Sequence, residues 1–102
     1  MATTFRLGAP ADLGPLDPAR FLAWVIERAD RTVGYLVLSY ADGDAPDRRA
    51  YVSGLYLEPE ERGKGIGATA LRFAADVGRT LKLRIYSVGV SGEDKPLALK
   101  RA

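Results

Sequence analysis

The sequence predicts an α/β (α+β) fold: a mixed central sheet organised around a strand–glycine loop–helix–strand core. Three observations carry this. Two stretches rich in β-formers, Thr32–Tyr40 and Ala50–Leu57, lie on either side of a polar Asp-Gly-Asp loop. A cluster of alternating glycines, Gly63-Lys64-Gly65-Ile66-Gly67, follows the second of them. Beyond it, Ala70, Leu71, Ala74, Val77 and Leu81 recur at helical spacing, so Ala68–Leu81 reads as an amphipathic helix.

The order of elements follows from the chain. Thr3–Leu7 is a short first strand, and Gly8–Pro18, with three prolines and two glycines, is an irregular connection. Phe21–Ala29 is ambiguous. Asp17–Pro18 has the form of a helix cap with proline in the first turn, and Phe21, Leu22, Val25, Ile26 and Ala29 have helical spacing. The same segment runs through Asp30–Arg31 into Thr32–Tyr40, which is the pattern of a hairpin. Local pattern leaves both open. Ala41–Arg49 is a loop, Ala50–Leu57 a strand, and Gly54 within that strand marks a bulge or a close approach. Leu83–Val90 alternates into a further strand before a Ser91–Asp94 turn, and Pro96–Ala102 has the makings of a second helix. A strand, a helix and a strand in sequence imply a crossover.

At 102 residues the chain is expected to form one domain over 1–102. Hydrophobic residues are 47% and charged residues 27%, an ordinary globular balance. With no cysteine and no histidine, there is no disulfide, no thiolate or imidazole metal site and no cysteine nucleophile. Any acid–base chemistry falls to carboxylates, Tyr, Lys, water or the substrate. The net charge of +2 is spread over pairs such as Arg48–Arg49, Lys82–Arg84 and Lys100–Arg101. These read as a solvated surface, without the dense basic stripe of a nucleic-acid interface. No stretch has the length of a membrane span and Met1–Leu13 does not have the form of a signal peptide, so the cytoplasm is the expected compartment.

Glu61-Arg62-Gly63-Lys64-Gly65-Ile66-Gly67 is the most informative stretch. It leaves a strand and enters a helix, where unpaired backbone N–H groups and the positive helix end favour a phosphate. Glycine lets the backbone approach an anion, and Arg62 and Lys64 add charge beside those donors. A plain surface turn is the bland alternative. A Walker A loop fails, because no Gly-Lys-Ser/Thr stands at the required spacing. A dinucleotide fingerprint is formally present as Gly63-x-Gly65-x-x-Ala68. Its context is wrong: five residues separate it from the strand, and no acid ends the next one. The remaining pattern is Arg62-x-x-Gly65-x-Gly67, preceded by Leu55-Tyr56-Leu57-Glu58-Pro59.

Leu55–Gly67 resembles the central motif of the GNAT acyltransferases, a strand ending in an apolar-x-apolar-x-Pro run and then Arg/Gln-x-x-Gly-x-Gly/Ala. The likeness extends more loosely over Phe21–Val90, with Arg31-Thr32-Val33-Gly34-Tyr35 similar to the family's third strand. It implies that Phe21–Tyr40 is a hairpin and that the co-substrate is acetyl-CoA or another acyl-CoA. It also implies cofactor contacts from Leu55, Tyr56 and Leu57 to the pantetheine arm, and from Arg62, Gly63, Lys64, Gly65, Ile66 and Gly67 to the pyrophosphate. The strand at Leu83–Val90 would splay away to leave a wedge for the thioester. The implied activity is N-acyl transfer to an amine on a small molecule or a protein, with a reduced, non-catalytic acyl-CoA-binding or interaction module as the alternative.

The chain departs from the family where the catalytic groups often sit. The strand position of the usual glutamate falls near Ser53–Gly54, and the tyrosine-bearing helix corresponds to Asp94–Ala102, which has no tyrosine. Ser91 and Asp94 stand where asparagines commonly touch the cofactor. No catalytic residue is assigned, and Glu58 and Tyr56 are nearby candidates. The usual C-terminal strands are missing, so Leu83–Val90 is expected to form an open edge. The chain is therefore expected to be a homo-oligomer, or a fragment whose missing strands would complete the sheet in cis.

Overall fold

Phe21–Arg28 (β2) is a strand, not a helix, and its burial explains why its spacing misleads. It pairs antiparallel with Thr3–Leu7 (β1) on one side and Arg31–Tyr40 (β3) on the other. Both its faces are covered, so Ala23, Trp24, Val25 and Ile26 are buried in succession and the alternation of a half-exposed strand is lost. The link to β3 is a two-residue turn in which Ala29 and Asp30 both take positive φ (53° and 59°), the twist that suits a tight hairpin.

The computed structural model describes residues 2–40, 49–88 and 94–96. Arg49–Leu57 (β4) pairs antiparallel with β3. The helix Ile66–Leu81 (α1) then crosses to Arg84–Val88 (β5), which lies parallel to β4. Asp94–Pro96 (β6) closes the order, antiparallel to β5. The sheet is mixed, in the order β1-β2-β3-β4-β5-β6.

Several expected boundaries move. Arg49, assigned to the loop, opens β4; the helix begins at Ile66, two residues early, because Gly65 caps it in a left-handed conformation. Ala11–Leu13 form a single 3₁₀ turn within the irregular connection. Asp94 and Pro96, read as the end of a turn and the start of a helix, belong to β6, and 97–102 lie outside the described residues, as do 41–48 and 89–93. The expected open edge is also corrected: β6 pairs Tyr86, Ser87 and Val88 of β5. β6 is the only strand after β5 among the described residues.

The core lies between α1 and one face of the sheet. Ile66, Ala70, Ala74, Ala75 and Gly78 make up the buried face of the helix, and these small side chains let it lie close to the strands. A Cβ at Gly78 would run into Ile85. Phe73 stacks on Phe5 at 4.1 Å and meets Trp24 edge-on at 5.2 Å, joining the helix to β1 and β2. Trp24, Ile26, Val33, Leu36, Leu38, Ala50 and Ile85 complete the cluster.

Candidate functional site

The site begins with an interruption in β4. Val37 pairs with Gly54 but Leu38 pairs with Val52, so Ser53 is an extra residue in a bulge, where the glycine in the sequence indicated one. The Ser53 hydroxyl donates to the Val37 carbonyl at 3.4 Å. The bulge coincides with a fork. β4 and β5 pair only from Arg49↔Arg84 to Val52↔Ser87, while β4 continues to Leu57. From Ser53 onward the β5-facing edge of β4 has no strand partner among the described residues. Apart from the Leu57 carbonyl, which accepts from Arg62 Nε, its backbone polar groups are open to an extended ligand.

Pro59–Glu61 form a 3₁₀ turn that carries the chain from β4 to the loop. The Glu58 N–H donates to Val33 O at 2.9 Å, fixing this exit against β3. Gly63 and Gly65 take φ of 79° and 81°, and a Cβ on either would point into open space. These positions require glycine for the backbone they adopt, not for close packing. Thr69 N–H donates to Gly65 O at 3.1 Å, the first backbone bond of the helix entry. The N–H groups of residues 63 to 68 have no hydrogen-bond partner among the described residues. A row of free donors at the positive end of a 16-residue helix is the arrangement that suits an anion.

The side chains around these donors are committed elsewhere. Arg62 Nε donates to Leu57 O at 3.0 Å, and its guanidinium lies 5.7 Å from the Tyr56 ring centroid. Lys64 Nζ donates to Glu61 Oε2 at 3.3 Å. Ile66 is buried in the core at 3% exposure, so it offers the loop only its backbone. Leu55 and Tyr56 are exposed beside the fork, and Leu57 packs against the core, near Gly67. All nine residues singled out in the sequence thus lie on one continuous path from the fork to the first turn of α1.

On the sheet face away from α1, Tyr35 and Tyr56 stack with ring centroids 5.6 Å apart. They line a cleft of about 450 Å³ with Arg6, Val25, Thr32 and Glu58, walled by Ala9–Ala11. Tyr56 and Glu58, the two candidates for proton transfer, therefore share one cavity. A hydrogen bond with Glu60 is the main cause that raises Glu58 above the usual carboxylate range. Glu60 is lowered, first by a hydrogen bond with its own backbone and then by the one with Glu58. Among the described residues no group of acids is placed to hold a metal.

One residue at this site was not singled out in the sequence. Glu61 is buried at 5% exposure and meets three cations, Arg28, Arg31 and Lys64. The only sequence signal was an acid three residues before a lysine, which is commonplace on a surface.

Residues 6–97 match the model of the acetyltransferase (GNAT) family. The chain belongs to that family. No curated protein matches it. Among solved structures it is similar to an integron cassette protein from the mobile metagenome of Cole Harbour Salt Marsh. That similarity is 29% identity over 70% of this chain and 47% of the other, with a TM-score of 0.62. A tandem GNAT protein from the clavulanic acid biosynthesis pathway is 28% identical over 71% of this chain and 22% of its own, with a TM-score of 0.59. A predicted acetyltransferase from Clostridium acetobutylicum, solved with acetyl-CoA, shares the fold at 20% identity over 82% of this chain and 58% of its own, TM-score 0.59. The chain spans less than two thirds of each of these proteins.

Proposed function

We propose that this chain binds an acyl-CoA, acetyl-CoA foremost, and transfers its acyl group to an amine. The observation that carries the reading is the open backbone edge at the fork, Ser53–Tyr56, followed one short turn later by the free N–H groups of residues 63–68. The loop suits a diphosphate: six free backbone N–H groups lie at the positive end of the helix dipole, and left-handed glycines keep Cβ atoms off the approach. The open edge of β4 from Ser53 to Tyr56 fits an extended arm bearing amides, which would add to the sheet as a strand does. When bound, the co-substrate supplies the activated thioester carbonyl. The chain's part is to hold that carbonyl at the fork and exclude water with Leu55 and Tyr56.

The body of the amine acceptor is assigned to the cleft with Tyr35, Tyr56 and Glu58. Gly54, in the strand at the fork, lies beside the Tyr35 ring that lines the cleft, a Cβ there standing 3.5 Å from it. Both small-molecule and protein amines suit this opening, in a cytoplasmic setting. Among the described residues no helix is long and apolar enough to cross a membrane. Self-association through a sheet edge belongs to the same reading, because β1 pairs on one side only and ends in exposed Leu7.

One observation favours a non-catalytic acyl-CoA-binding module instead. The bulge facing the fork presents Ser53 and Gly54, and neither takes a proton from an amine. Calorimetric titration with acetyl-CoA, followed by acetyl-CoA consumption against a panel of amines, separates the readings. Transfer requires both to respond, a binding module only the first. Absence of binding sinks both.

A further inference from the structure

Glu61 is the only charged side chain buried among the described residues. It sits in the turn between β4 and the glycine loop, where its neighbour Glu60 is exposed. Its Oε1 lies 3.6 Å from Arg28 Nη1. Its Oε2 lies 3.6 Å from Arg31 Nη2 and 3.3 Å from Lys64 Nζ. Arg28 and Arg31 flank the β2–β3 turn, while Lys64 stands between the two left-handed glycines. One carboxylate thus ties the tip of a hairpin to the centre of the loop.

We infer that Glu61 is a positioning residue for the acyl-CoA diphosphate: by holding Lys64 against the β2–β3 turn it fixes the loop backbone in the conformation that presents its N–H groups. The inference rests on the acyl-CoA reading above. Gly63 and Gly65 accept either hand of backbone at little cost, so nothing in their own chemistry selects the observed one. An anchor on the residue between them does. Lys64 is half exposed and carries a long flexible stem, which Glu61 restrains at its far end. Burying a carboxylate costs desolvation that an apolar side chain in the same place would avoid. What the acid adds is direction, because it draws side chains from β2, β3 and the glycine loop to one point. Glu61 also neutralises the Lys64 ammonium, leaving the backbone dipoles as the donors that meet the anion.

The rival arrangement is that Arg31 and Lys64 swing to the phosphates themselves, with Glu61 only competing for them. The two make opposite predictions. If Glu61 positions the loop, Glu61→Gln weakens acetyl-CoA binding by about tenfold, Lys64→Met does the same, and the double variant is no worse than either, since both break one link. Glu61→Gln binding as tightly as the wild type, or more tightly, overturns the inference. So do losses that multiply in the double variant. A second readout needs no ligand: ¹⁵N relaxation order parameters of the Gly63, Lys64 and Gly65 amides fall in both single variants while those of Ala70–Leu81 hold. Unchanged loop order parameters overturn the inference as well. A wild-type loop that is ordered and loosened by Glu61→Gln, yet binds no acetyl-CoA, defeats the acyl-CoA reading and with it the role assigned to Glu61. Lys64 is exposed enough that Lys64→Met keeps both readouts available if Glu61→Gln does not fold.

Discussion

The Nε of Arg62 donates to the carbonyl of Leu57 at 3.0 Å, so the loop's first cation is tied back to the strand that precedes it. The sequence offered Arg62 as charge beside the phosphate donors. The structure gives it a second task, closing the turn between β4 and the loop while its guanidinium covers Tyr56. Arg62→Ala is therefore expected to weaken acetyl-CoA binding by about tenfold, chiefly by releasing the loop. A direct ion contact would give a loss that shrinks as salt rises, whereas a displaced loop gives one that persists. Calorimetric titration at low and high salt distinguishes them, and full affinity in the variant would remove Arg62 from the site.

Gly65 takes φ of 81° as the cap of α1, with open space where a side chain would stand. Gly65→Val is expected to abolish acyl-CoA binding, because its methyl groups enter the space the diphosphate needs. It also costs about 1–2 kcal/mol of stability from the left-handed backbone. Denaturant unfolding confirms that the variant is folded; titration then tests the loop. A folded Gly65→Val that binds like the wild type would show that the diphosphate site lies elsewhere.

Gly34 has the opposite requirement. Its φ is ordinary, but a Cβ there would collide with the Tyr56 carbonyl and touch Leu57. Backbone cannot move aside as a side chain can, so Gly34→Ala is expected to lower stability by about 1–3 kcal/mol and to displace Tyr56 from the cleft. Gly54→Ala, whose nearest contacts are ordinary at 3.5 Å, is the control that folds normally. Equal unfolding midpoints for the two variants would contradict this account.

How much of this was legible in advance depended on how local the cause was. The glycine loop and the helix are signalled by local residue types and spacing, so the sequence located them to within two residues, and Gly54, read as a bulge or a close approach, marked the strand where Ser53 bulges. The hairpin of β2 and β3 was not so signalled, because strand alternation vanishes when both faces are buried, as at Ala23–Ile26. Only the resemblance resolved it. β6 is three residues long, too short for any periodicity. Glu61 was hidden for another reason: its partners Arg28 and Arg31 lie about thirty residues upstream, and only the folded sheet brings them together.

Self-association is expected through an outer strand. β5 is covered by β6 over Tyr86–Val88, which leaves β1, with exposed Leu7, as the less protected edge. Light scattering at micromolar concentration should report a dimer or larger species, and Leu7→Lys should shift it toward monomer. A monomer that binds acetyl-CoA would overturn the expectation.

The last prediction concerns Glu58, which lines the cleft, and its neighbour Glu60. Glu58 and Glu60 share a hydrogen bond, with Glu58 raised and Glu60 lowered relative to an ordinary carboxylate. The opposite directions favour the proton on Glu58 over Glu60. The signs oppose. Glu58, raised in the folded state, contributes stability at low pH that is lost as pH rises through its folded pKa. Glu60, lowered, contributes stability at higher pH that is lost as pH falls through its own. The two windows lie on either side of the ordinary carboxylate pKa, so global stability sums both groups without separating them, and the test must be made residue by residue. Carboxyl-carbon NMR titration should show Glu58 deprotonating at higher pH than Glu60, and Glu60→Gln should bring Glu58 back toward the ordinary range by removing the charged acceptor. If Glu58 carries a proton to or from the acceptor in the cleft, the pH profile of acetyl transfer should move down with it in Glu60→Gln. A profile that stays in place while the titration of Glu58 shifts would remove Glu58 from the chemistry and leave it as a wall of the cleft.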